Sequence, residues 1–150
     1  MKPTDKAKMY LNWAFYYKNK ADVLKDKIEV LQSKAEKITA SYQDVPVFGS
    51  FEDHRQATMA EVVDLERERK KMYHQCLEKI EEIRLAINMV NKPIERLVLE
   101  LHYLEFMDWQ EIAFKLHYSV RHITNYHGSA LQLLVQANDK IVENGGKPLF

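Results

Sequence analysis

The chain has a single cysteine and only four glycines and four prolines among its 150 residues. One cysteine excludes an internal disulfide framework and fits a reducing compartment, so we expect a cytoplasmic protein. The shortage of glycine and proline disfavours a many-turned β fold and favours long helices. No apolar run approaches the roughly 20 residues of a membrane helix, and the first ten residues lack the apolar core of a signal peptide. The composition therefore predicts an all-α protein outside the membrane.

The formal net charge is zero, but the charges are unevenly distributed. Residues 1–43 carry nine basic and five acidic side chains, whereas residues 93–150 carry five basic and seven acidic ones. Most nucleic-acid-binding domains present a basic surface. The acidic balance of the C-terminal part therefore weighs against a DNA-binding role for it.

Two long helices are predicted by seam residues, all apolar except one arginine, that recur three and four apart, and in the first helix the two spacings alternate throughout. The first runs from about residue 6 to 42, and the second from about 58 to 91. They can fold back as an antiparallel hairpin or associate with a second copy, and the spacing does not separate these alternatives. The seam consists of Tyr10, Ala14, Tyr17, Ala21, Leu24, Ile28, Leu31, Ala35, Ile38 and Tyr42, then Val62, Leu65, Arg69, Met72, Cys76, Ile80, Ile83, Ile87 and Val90.

Residues 43–56 interrupt this pattern, because Pro46 and Gly49 are helix breakers. We expect a loop here. It is either a plain connector or a docking segment, since Val47, Phe48 and Phe51 would be apolar side chains exposed in a loop.

A new region begins at Pro93, a residue that suits the first turn of a helix. Leu97, Leu101 and Leu104 are predicted to form its inner face, with Ile94 and Val98 beside them. The final segment, ENGGKPLF, is rich in glycine and proline, and we expect a short flexible tail.

Residues 108–131, DWQEIAFKLHYSVRHITNYHGSAL, predict two short helices joined by a tight corner. Asp108 suits the N-cap of the first helix with Glu111 as its capping-box partner, and Ser119 suits the N-cap of the second. Such a pair is typical of a helix-turn-helix, whose second helix can enter the major groove. The apolar period of the second helix leaves four residues facing outward: Arg121, Thr124, Asn125 and Gly128.

The outward residues have the chemistry of base recognition. Arginine can donate two hydrogen bonds to guanine, asparagine can pair with adenine, and a threonine methyl can pack on the methyl of thymine. Ser119 and His122, at the helix start, are better placed for phosphates. The predicted DNA-binding residues are therefore Ser119, Arg121, His122, Thr124 and Asn125.

The segment IERLVLELHYLEFMDWQEIAFKLHYSVRHITNYHGSAL resembles the helix-turn-helix of phage-encoded late-gene transcription regulators of low-GC Gram-positive bacteria, the ArpU-like and RinA-like group. LELHYLE, WQEIA, YSVRH and HGSAL carry the resemblance. This module is similar to region four of sigma factors, which recognises the upstream promoter element. The resemblance implies a DNA-binding activator of phage or prophage genes beside host RNA polymerase, with Arg121, Thr124 and Asn125 facing the bases. The chain departs from the family at His102 and Asn125, where basic residues are usual, and at His117, where many helix-turn-helices have glycine.

The predicted organisation is a long helical hairpin and oligomerisation region over residues 1–92, followed by a helix-turn-helix domain over 93–150. Double-stranded DNA is the predicted partner, and a homodimer formed through the long helices would set the half-site spacing. An alternative is a protein-binding adaptor that docks on RNA polymerase or a repressor without contacting bases. A third possibility is a purely structural coiled-coil oligomer.

We expect no metal, cofactor or enzymatic activity. His122 and His127 are five residues apart and face different sides of a helix. Cys76 lies in an apolar seam without an obvious histidine partner, so it is expected to be a core residue rather than a nucleophile.

Overall fold

The structure is a computed structural model that describes residues 1–42 and 49–147. Within these residues the chain is all-helical and contains no strand. None of the described helices combines the length and the apolar character that a membrane span requires. The elements are α1 (Pro3–Tyr42), α2 (Gly49–Asn88), α3 (Pro93–Leu99), a π-helical segment (Glu100–Leu104), α4 (Trp109–Leu116), α5 (Val120–Ala137) and α6 (Asp139–Glu143).

Helix α2 begins at Gly49, so the prediction of a loop over residues 43–56 is wrong for its second half. Side chains of the first turns support the helix: Glu52 forms an ion pair with Arg55 at 3.3 Å and accepts a hydrogen bond from Gln56 at 2.9 Å. Such pairs three and four residues apart stabilise helices, and an acidic residue is favourable near the N-terminus. The suggested docking residues Val47 and Phe48, and the side chain of Phe51, lie outside the described residues.

The chain divides into two compact units, of which one comprises Asn19–Cys76. In this unit the amide of Gln32 on α1 donates to Glu66 on α2 at 3.4 Å, and Glu66 also pairs with Lys70. Burial raises the pKa of the Cys76 thiol, as expected for a core residue rather than a nucleophile. Five of the predicted seam residues are buried in this unit, namely Ala21, Leu24, Ile28, Val62 and Cys76, and the other described ones are partly buried.

The other unit combines Met1–Lys18 with Leu77–Phe150. The sequence predicted a domain boundary near residue 92. The main core of this unit contains residues from both sides of that position. The predicted seam residues Tyr10, Ile83 and Ile87 are fully buried in that core. Its other buried members are Ala7, Leu11, Ala14, Ala86, Val90, Leu99, Tyr103, Ala130, Leu131, Leu134 and Ile141.

The C-terminal segment, which the sequence predicted to be a flexible tail from Glu143 onward, packs against α1 as far as Gly146. Ile141 on α6 is fully buried, and the Lys6 ammonium donates to the carbonyl of Val142 at 3.5 Å. Gly146 has a φ of +77°, and a Cβ there would lie 2.6 Å from the carbonyl oxygen of Lys6. A glycine is therefore required where the chain returns to α1.

Helix α3 is followed directly by the π-helical segment, whose turn is wider than that of an α-helix. The sequence did not predict this segment. The amide of Glu105 donates to the carbonyl of Glu100 at 3.1 Å, five residues back, and Met107 donates to Leu101. The wider turn lets Leu101 pack under α4 and α5, while Tyr103 packs in the main core. Segments of this kind are frequent near functional sites.

Candidate nucleic-acid interface

Helices α4 and α5 meet at a corner whose local geometry follows the sequence. The Oδ1 atom of Asp108 accepts a hydrogen bond from the amide of Glu111 at 2.8 Å, and Ser119 Oγ accepts one from the amide of His122 at 3.2 Å. Both predicted N-caps are thereby confirmed. His117 lies between the helices with φ 62° and ψ 38°, so histidine takes the left-handed position where glycine is usual.

A small apolar core fixes the crossing of the two helices. Ile112 and Ala113 from α4 meet Ile123 from α5, and Val98 and Leu101 lie in the same cluster. Ala113 is 6% exposed, and its small side chain lets the helices approach closely. The packing therefore determines which side of α5 is left to solvent.

The outward side of α5 is the one predicted from its period. Arg121, Thr124, Asn125 and Gly128 are all exposed, and their spacing of three and four residues places them on one face. Thr124 Oγ1 donates to the carbonyl of Arg121 at 3.0 Å, so the hydroxyl proton is used within the helix. The guanidinium of Arg121 and the amide of Asn125 have no recorded partner within the described part of the chain.

Ser119 and His122 are brought together at the start of α5. Besides capping the helix, Ser119 Oγ lies 2.7 Å from the Nδ1 atom of His122. If the hydroxyl donates to Nδ1, the neutral ring carries its proton on Nε2, which then becomes a donor. A helix N-terminus with such a donor suits a phosphate oxygen.

His127 lies on the opposite, buried side of α5 and is 8% exposed. Its Nε2 atom forms a 2.7 Å hydrogen bond with the hydroxyl of Tyr103. Burial, and then the nearby His102 and Lys8, lower the pKa of His127 to about 4, so its ring is neutral at physiological pH. The geometry therefore gives His127 a packing role.

His102 completes this buried cluster. Its ring stacks on Trp109 with centroids 3.8 Å apart, and its Nδ1–H donates to the carbonyl of Met107 at 2.8 Å. The period of α5 could have placed His127 inside, since it lies four residues after Ile123 and three before Ala130. The hydrogen bond between His127 and Tyr103 depends on the π-helical segment, which carries Tyr103. No pattern in the sequence predicted this hydrogen bond.

No three histidine, cysteine, aspartate or glutamate side chains of the described ranges come together as a metal site requires.

The charges around α5 differ from those of the region as a whole. The helix contains one formally charged side chain, Arg121, and no aspartate or glutamate. All seven acidic residues of 93–150 lie outside α5. The net acidity of this region therefore does not apply to the face that carries the predicted site.

Comparison with known proteins adds no assignment. No family model matches this chain, and neither the curated proteins nor the solved structures contain a significant match. The resemblance to phage regulators therefore remains a prediction from the sequence motifs.

Proposed function

We propose that this protein is a sequence-specific DNA-binding transcriptional regulator, an activator of phage or prophage genes that acts beside host RNA polymerase. Helices α4 and α5 would serve as a helix-turn-helix that inserts α5 into the major groove. The outward face of α5 carries the proposal. It presents Arg121, Thr124 and Asn125 on an acid-free helix whose start is framed by Ser119 and His122.

Each outward residue has a distinct role in this proposal. Arg121 would donate two hydrogen bonds to a guanine, and Asn125 would pair with an adenine. Thr124 would contribute its methyl to a thymine, since its hydroxyl already donates to the Arg121 carbonyl. Each good bidentate pair discriminates against a wrong base by about 1–3 kcal/mol. The recognised sequence should therefore contain a G·C pair close to A·T pairs.

The proposal includes a homodimer. The two long helices of each subunit would form an antiparallel hairpin, and these helices would also make the contact between subunits. A dimer of helix-turn-helix units contacts two half-sites about one helical turn apart. We therefore expect the bound sequence to be a repeat with twofold symmetry. Light scattering of the full chain measures the subunit number, and a monomer bound to a single half-site would contradict this part.

The deciding experiment is selection of bound fragments from a genomic library at two salt concentrations. The wild type is compared with Arg121→Ala/Asn125→Ala, which removes from exposed positions both side chains that can form bidentate pairs with bases. Arg84→Ala/Gln75→Ala is the matched control, because it removes one arginine and one amide from exposed positions on α2.

We expect one enriched motif for the wild type and the control, and loss of that motif for the α5 variant. His122→Ala should weaken binding to all sequences alike, as for a phosphate contact that carries no sequence information. The base-contact roles are refuted if the α5 variant selects the wild-type motif.

A protein-binding adaptor is the second candidate, and one observation favours it. Phe114 on α4 is 87% exposed, so its ring is available to contact another protein. Binding to a protein depends weakly on salt, whereas phosphate neutralisation makes DNA affinity fall steeply. No enriched fragment at low salt would favour the adaptor.

A further inference from the structure

A cavity of about 240 Å³ opens beside the start of α4, and all its lining residues belong to one compact unit. Pockets that bind drug-sized molecules measure roughly 300–1,000 Å³. This cavity is smaller than that range, so its volume suits a single side chain. Helix α1 supplies part of the wall, and the π-helical segment with the residues after it supplies the rest. The lining consists of Asn12, Phe15, His102, Tyr103, Phe106, Met107 and Asp108.

Two phenylalanines form an aromatic corner in the wall. The rings of Phe15 and Phe106 have centroids 5.5 Å apart and planes at 65°. Phe15 is 55% exposed, so its ring contributes a face that solvent can reach. Phe106 has a φ of 58°, a left-handed conformation that is rare for a bulky residue, and strained residues of this kind cluster at functional sites.

The charge of the lining has one sign. Asp108 is the charged side chain among these seven residues, and no lysine or arginine lines the cavity. Its Oδ1 atom accepts the Glu111 amide, which leaves the second carboxylate oxygen without a recorded partner in the described structure. Glu105, three residues earlier, is also exposed. An aromatic corner beside a carboxylate is complementary to a cation.

We propose that this cavity binds an arginine side chain presented by another protein. A guanidinium is flat, stacks on aromatic rings and pairs with carboxylates, whereas an ammonium is more strongly hydrated. The stacked ring of His102, held by the Met107 carbonyl, gives the cavity a rigid wall. This proposal is independent of DNA binding, because none of its residues lies on the outward face of α5.

The test is an NMR titration of the ¹⁵N-labelled full chain with Nα-acetyl-arginine amide at low ionic strength. Nα-acetyl-citrulline amide is the matched probe, because citrulline has nearly the same shape without the charge. We expect saturable shifts of the Asn12 side-chain amide and the His102 ring with arginine, and affinity about fivefold weaker with citrulline. Equal affinity for the two probes, or no saturable shift with arginine, would overturn the proposal.

Two variants separate charge from aromatic contact. Asp108→Asn keeps an effective N-cap but removes the carboxylate, so the preference for arginine over citrulline should disappear while the helical content is unchanged. Phe15→Leu should weaken arginine binding about threefold through loss of the exposed ring. An unchanged preference for arginine in Asp108→Asn would show that the carboxylate does not select the ligand.

Discussion

The buried pair of His127 and Tyr103 predicts a specific loss of stability in acid. The His127 ring is neutral in the folded protein, with a pKa of about 4, against an ordinary value of 6.5. An unfolded chain binds a proton at this residue as the pH falls below 6.5, whereas the folded chain does not. The contribution of His127 to stability is therefore complete above pH 6.5 and is lost progressively as the pH falls to about 4.

The size of the effect follows from these two pKa values. Between about pH 7.5 and about pH 5, the difference in proton binding lowers the free energy of unfolding by about 2 kcal/mol. Because the residue is 8% exposed, solvent screening should reduce this figure only slightly. Urea denaturation followed by circular dichroism at the two pH values measures it.

The comparison is made with His127→Phe/Tyr103→Phe, which replaces both hydrogen-bonding partners by apolar rings. Removing one partner alone would leave a buried polar atom unpaired, at a cost of about 1–3 kcal/mol. All other residues are the same in both proteins, so the comparison isolates the buried pair. The double variant should lose about 2 kcal/mol less than the wild type on acidification. If the two proteins lose the same stability within about 0.5 kcal/mol, His127 is not a buried neutral ring in solution.

Three further predictions concern the corner and α5. Asp108→Ala should lower the free energy of unfolding by about 1 kcal/mol through loss of the N-cap. Thermal unfolding of this variant, compared with that of Asp108→Asn, which keeps the cap, measures the loss. His117→Gly should raise it by about 1 kcal/mol, because glycine adopts φ 62° without a Cβ clash; a lower melting temperature would contradict the strain argument. Gly128→Ala should stabilise the helix by about 1 kcal/mol, since a Cβ there meets no atom within 4 Å. If DNA backbone approaches Gly128, the same variant binds the selected motif more weakly, and unchanged binding would exclude that approach.

The sequence alone determined the features that depend on neighbours a few residues away. The alternate spacing of apolar residues identified the buried side of α1 and α2, because the period of a helix puts residues three and four apart on one face. Asp108 and Ser119 were identifiable as N-caps, because each cap bonds an amide three residues on. The outward position of Arg121, Thr124 and Asn125 followed from the same period.

Only the tertiary structure decided the features that join distant parts of the chain. Glycine and proline near the C-terminus indicated a loose tail, but Gly146 packs against the carbonyl of Lys6, 140 residues earlier. The cavity beside Asp108 needs Phe15 from α1 and Phe106 from the turn that follows the π-helical segment. Local propensity determines a helix and its caps. The burial of a polar pair such as Tyr103 and His127 depends on which distant parts of the chain pack around the pair.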